Sequence, residues 1–199
     1  MNLFKFFLPL ALAILFIRAY IVKDTYILSK DFVVIIHGTS NIHNWDEKVG
    51  IVSGDCIAYQ DRDGSYNIDA ITIKMDVHSI KSDMGSIMNN NTYRALKADV
   101  NPEIIFALNF PVKFNQTKSD KNSVSAKGNL TIAGIKRSVD MSIQVVVLKG
   151  EKLSFEGSQT INMIDYGIKP PTAILGTLKT GSEIKIDFKV NFIPKTINK

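Results

Sequence analysis

Along most of the chain, apolar residues fall at every second position. Ile184, Ile186, Phe188, Val190 and Phe192 alternate with Glu183, Lys185, Asp187, Lys189 and Asn191. The same period runs through Val124, Ala126, Leu130 and Ile132, through Val139, Met141, Ile143, Val145 and Val147, and through Leu153, Phe155, Ile161 and Met163. Successive side chains of a strand point to opposite faces, so each of these segments predicts a strand with one apolar and one wet face. Turn chemistry separates them: Asp61-Arg62-Asp63-Gly64, Ala133-Gly134 and Lys149-Gly150-Glu151. The pattern predicts eight strands, near residues 32–40, 47–60, 65–77, 103–115, 123–133, 136–148, 152–163 and 182–193. Between Tyr66 and Val77 the apolar phase slips by one, from Tyr66, Ile68 and Ala70 to Ile71, Ile73, Met75 and Val77. Such a slip predicts a bulge or a sharp bend. One segment leaves the pattern. Met84, Ile87, Met88 and Leu96 have helical spacing ahead of Pro102, which predicts a short helix within residues 82–99 across one end of the sheet. The fold class is therefore all-β, an up-and-down barrel or a sandwich.

Composition narrows this to one ordinary domain with a sizeable core: 199 residues, 45% hydrophobic and 22% charged. The formal charge of +5 comes from scattered residues with no basic run, which argues against a nucleic-acid partner. The uninterrupted apolar run Phe6–Ile17, preceded by Lys5, is shorter than the roughly 20 residues a membrane span needs. It fits the apolar core of a secretory signal, with cleavage expected near Ala19 and a short uncleaved anchor as the alternative. Residues 1–19 are thus assigned to a signal segment and 26–195 to the barrel. The run has no nearby cysteine that could carry a lipid. The lone cysteine, Cys56, can form no internal disulfide and is read as a small buried hydrophobe.

Catalytic motifs are sparse. His37, His43 and His78 form no zinc-type pair, and neither a Gly-x-Ser-x-Gly elbow nor a Cys–His signature is present. Asp61-Arg62-Asp63-Gly64-Ser65 resembles the start of a calcium loop, but its glycine comes too early and the closing glutamate is missing, so a hairpin turn is expected. The most singular feature is a polar box after the apolar run Phe32–Ile36: Gly38-Thr39-Ser40-Asn41-Ile42-His43-Asn44-Trp45-Asp46. It holds the only tryptophan, which either plugs a core or lines a pocket. His43, two residues away, is a candidate polar contact at a pocket mouth. His37 is read as a structurally satisfied histidine. The inward positions of a small apolar barrel either pack shut or leave a tunnel for an apolar ligand.

Together with the polar box, three further stretches resemble the YceI family of exported lipid-binding proteins. They are Tyr93-Arg94-Ala95-Leu96-Lys97-Ala98-Asp99-Val100-Asn101-Pro102-Glu103-Ile104-Ile105-Phe106, Gly128-Asn129-Leu130-Thr131-Ile132-Ala133-Gly134-Ile135-Lys136-Arg137-Ser138-Val139, and Asp165-Tyr166-Gly167-Ile168-Lys169-Pro170-Pro171-Thr172. The resemblance implies an extended, lipocalin-like, eight-stranded antiparallel barrel. It also implies a polyisoprenoid or similar long amphiphile in the lumen, no cofactor or metal, and no catalysis. Many members carry an Arg-Asp-x-His type sequence where this chain has Met88-Asn89-Asn90-Asn91-Thr92, so a histidine contact to the head group is not carried over.

The resulting expectation is a carrier or sequestering protein for a long-chain isoprenoid or fatty amphiphile, periplasmic or secreted from a bacterium. Transient membrane contact is expected, with tethering if the N-terminal segment is retained. Expected ligand-contacting residues are Trp45, His43, Phe106, Leu108, Ile132, Ile143, Phe155, Ile161 and Phe188, with Tyr93 and Tyr166 near the openings. The alternative is a solid envelope barrel that displays residues 88–91 and the 167–181 loop to a partner. A hydrolase acting on isoprenoids is the third option.

Overall fold

The computed structural model describes residues 23–115, 121–173 and 177–195, with only the backbone of Ala173 and Leu178. The expected signal segment, residues 1–19, lies outside the described residues. Eight antiparallel strands form a closed ring. They are β1 (Asp24–Leu28 and Val33–Ser40), β2 (Asn44–Val49 and Val52–Gln60), β3 (Ser65–Asp76), β4 (Glu103–Leu108 and Val112–Asn115), β5 (Asn122–Ile132), β6 (Ile135–Val147), β7 (Leu153–Asn162) and β8 (Leu178–Pro194). Each pairs with the next in sequence, and β8 closes the ring on both halves of β1. Thr180–Lys189 meets Val33–Ser40, and Phe192–Pro194 meets Tyr26–Leu28. Closure satisfies the backbone groups that an open sheet would leave at its edges.

The ring explains the alternation. Inward positions such as Val34, Ile36, Ala126, Leu130 and Val145 are buried, while their neighbours on the strand are half-buried or exposed. The phase slip in β3 is a β-bulge. Ile57 pairs with Ala70 and Ala58 with Ile68, which leaves Asp69 as the extra residue and lets both Ile68 and Ile71 be buried. Asp69 forms an ion pair with Lys23. The hairpin between β2 and β3 is a tight turn: Gly64 N–H donates to the Asp61 carbonyl at 2.9 Å, and Gly64 itself has φ 83°. The Ser65 hydroxyl and amide, then Lys113, hold the Asp63 carboxyl down at about 2. Among the described residues no cluster of three or more His, Cys, Asp or Glu could hold a metal ion. Cys56 is fully buried, and burial alone pushes its thiol up to about 12, so it behaves as a small apolar side chain.

The one helix, α1 (Ser86–Ala95), is shorter than the 82–99 window. Its start follows Gly85 at φ 87°, with Ser82 N–H donating to Asn89 Oδ1 at 2.8 Å, and Lys97 at φ 54° stops its continuation. Three asparagines in its middle add little intrinsic helix preference. What fixes the helix is its seat across one end of the barrel, where it packs against a short extension, Ile80–Ser82, beyond β3.

Candidate functional site

The lumen is not filled. A distal cavity runs between β1 and β3–β8, lined by apolar side chains with Gln159 as the polar exception. The space between atoms there is about 860 Å³, open solvent at its margin included. A second cavity lies under the helix. Its atom-free space is about 660 Å³, again including open solvent. Ile186 lines both, so the two abut along the barrel axis.

Glycines shape this space. Gly38, Gly128 and Gly157 occupy inward positions, and each lies under an aromatic ring from a neighbouring strand. A Cβ on Gly38 would stand 2.0 Å from the Trp45 ring. One on Gly128 would stand 2.2 Å from Phe106, and one on Gly157 2.8 Å from Phe188. Rings laid flat on glycine leave the middle of the lumen open and cover backbone that would otherwise lack packing. Trp45 is further fixed by its Nε1–H, which donates to the Thr39 carbonyl at 3.2 Å.

Of the residues singled out from the sequence, Phe106, Leu108, Ile143, Phe155 and Phe188 line the distal cavity. Trp45, Ile132 and Ile161 line the helix-end cavity. The structure places three elsewhere. His43 sits exposed in the turn before β2, its Nδ1 2.9 Å from the Asn44 carbonyl, and lines neither cavity. Tyr93 projects from the outer side of α1 into a surface groove with His78, Arg94 and Lys97. Its hydroxyl lies 2.9 Å from the carbonyls of His78 and Ile80 and also meets Lys81 Nζ. Tyr166 is buried under the turn Met163–Tyr166, beside a surface groove with Arg137, and burial pushes its phenol up. His37 bridges two carboxylates on the outer face, Asp46 at 2.7 Å and Asp187 at 3.2 Å.

Glu47 was not singled out from the sequence, yet it is the chemically most unusual group of the lumen. It lines the helix-end cavity at only 2% exposure and accepts a 2.6 Å hydrogen bond from Thr92 Oγ1. The signal was present: Trp45, Glu47 and Val49 share one strand face, so a carboxyl occupies a position where period two calls for an apolar side chain. Burial raises its pKa, and the Thr92 hydrogen bond opposes this in part. A carboxyl that holds its proton more tightly folded than unfolded stabilises the fold at low pH. That contribution is complete below the unfolded value near 4.5 and is lost as pH rises through the higher native value. Glu47→Gln is therefore expected to be more favourable, relative to the parent chain, at pH 8 than at pH 4. Urea denaturation of both proteins at the two pH values checks this; an equal difference at both would contradict it.

Comparison with known proteins agrees with this geometry. The family model described as the YceI-like domain matches residues 34–192. The chain belongs to the YceI-like family. Solved structures share its fold at low identity. BcnA of Burkholderia cenocepacia is 17% identical, with a TM-score of 0.59 over 80% of this chain and 95% of that one. A polyisoprenoid binding domain from Saccharophagus degradans, implicated in plant cell wall breakdown, is 12% identical, with a TM-score of 0.67 over 86% and 99%. A Campylobacter jejuni YCEI protein is 14% identical, with a TM-score of 0.55 over 76% and 85%. No curated protein matches the sequence.

Proposed function

We propose that this YceI-like barrel binds a long-chain isoprenoid or fatty amphiphile in its lumen and carries or sequesters it without catalysis. The observation that carries the reading is the unfilled apolar lumen, two abutting cavities whose walls are almost wholly hydrocarbon. Each methylene moved from water into such a space contributes about 0.8 kcal/mol, so ten of them offer about 8 kcal/mol before association costs. A polar head then needs few contacts. The polyisoprenoid binding domain among the structural relatives supports the same reading. The unfilled lumen supports carriage over the display of loops on a solid barrel.

The direct test is native mass spectrometry of protein purified from its own host, followed by lipid extraction. Bound isoprenoid or fatty lipid is expected; a lipid-free protein that also takes up no added lipid would overturn the proposal. Ile143→Phe sharpens it. Ile143 pairs with Gly157 across β6 and β7 and faces the distal cavity, so the larger ring occupies ligand space without adding charge. Lipid uptake is expected to fall several-fold with the fold intact. Unchanged capacity would show that the chain does not run past this residue.

The apolar run after Lys5 supports export to the bacterial periplasm or beyond. The intact mass of envelope-extracted protein is expected to correspond to a chain beginning near residue 20. A mass that retains Met1, found in the membrane fraction, would make the segment an anchor and the barrel tethered.

A further inference from the structure

We propose that Glu47 is the head-group receptor of the lumen and that it selects an uncharged amphiphile ending in a hydroxyl. The inference rests on the lipid-binding reading and deepens it. Glu47 stands on the inner face of β2 at the helix end, the only ionisable side chain lining either cavity among the described residues. Its Oε1 accepts a hydrogen bond from the Thr92 hydroxyl, and the acceptor capacity of Oε2 is left for a ligand. A carboxyl oxygen bordering an apolar cavity gains when a ligand filling that cavity donates to it rather than presenting only hydrocarbon. The remaining polar side chains of the cavity wall, Asn91, Thr92 and Thr180, are neutral.

This arrangement discriminates by charge. Inside this cavity a phosphate or carboxylate head would meet a carboxyl and no cation, since Arg94, Lys97 and Lys169 line the adjoining surface groove instead. Anionic heads are therefore disfavoured at Glu47. An amine would require two desolvated charges to pair in an apolar pocket, a cost that the few neutral polar side chains there offset only in part. A hydroxyl requires neither. Its O–H donates to Oε2 whether Glu47 is ionised or protonated, and its oxygen can accept from a protonated Glu47. With the head held there, the hydrocarbon runs past Ile186 into the distal cavity, where Gln159 is the single polar wall residue.

The experiment is displacement of Nile red from the full chain at pH 7.5 by four ligands with the same tail: oleyl alcohol, methyl oleate, oleylamine and oleate. Oleyl alcohol is expected to bind at least about ten-fold more tightly than methyl oleate, which lacks a donor. Glu47→Met is expected to erase that preference, and Glu47→Gln, whose amide oxygen still accepts, to retain it. Because Met suits an apolar cavity, loss of folding does not confound the variant. Equal affinity for alcohol and ester in the parent chain, or a preference that survives Glu47→Met, overturns the receptor role and leaves lipid carriage standing. Tightest binding of oleate or oleylamine overturns the neutral-head assignment. Displacement by none of the four overturns both this inference and the carrier reading.

Discussion

Phe192→Ala is expected to lower the stability of the barrel by about 3–5 kcal/mol, a large part of the 5–15 kcal/mol typical of a domain. Phe192 is fully buried on β8 at the seam where the ring closes. It pairs with Leu28 of β1 on one side and Leu153 of β7 on the other. Its ring stands edge-on to Phe155 at 5.7 Å and 87°, an arrangement that adds about 0.5–1.5 kcal/mol beyond the area buried. Truncation removes this contact and opens a void between three strands, and the β-sheet backbone around it cannot collapse to fill the space. Phe192 also lines the distal cavity, so the void enlarges the lumen. The mutant should therefore be less stable when empty and regain part of the loss when saturated with lipid, since a ligand bound only to the folded state adds stability by mass action. Urea denaturation with and without lipid measures both. A loss under about 1 kcal/mol would mean that the seam is not held by this side chain.

The barrel was legible because each strand has one wet face, which writes period two into the sequence. The β3 bulge was legible for the same reason, as a slip in phase. The first half of β1 was not. Asp24–Leu28 is five residues with Tyr26 alone buried, too short for an alternation to stand out. The helix was seen but its sides were not. Residues on a helix are offset by about 100° from one to the next, so Thr92 faces the lumen while Tyr93 turns to the outer groove. His43 shares a parity with Trp45, but β2 begins at Asn44, and the two-residue period has no force in the turn before it. Glu47 shows the opposite failure. Its parity was informative, but charged residues are usually assigned to the wet face by type, and only the closed ring shows that this one points inward.

Gly38→Ala is expected to lower stability by about 1–3 kcal/mol and to move the sole tryptophan. Gly38 and Trp45 face one another across β1 and β2. The indole lies so close that an added methyl would stand 2.0 Å from Cζ2 and 2.4 Å from Cε2. The strand cannot yield without breaking its ladder, so the ring must swing away. That breaks its Nε1–H bond to the Thr39 carbonyl and drives the indole into the helix-end cavity it now borders. A shift in tryptophan emission, a loss of stability and weaker lipid binding should appear together. The cause is steric rather than conformational, because Gly38 does not have the left-handed backbone that alanine resists. A double-mutant cycle isolates it. In a Trp45→Ala background the obstacle is gone, and Gly38→Ala should become neutral or stabilising, since alanine restricts the unfolded chain more than glycine by about 0.4–1 kcal/mol. Circular dichroism during urea denaturation follows all four proteins. If Gly38→Ala is equally damaging without the indole, the glycine serves the strand itself and not the ring that rests on it.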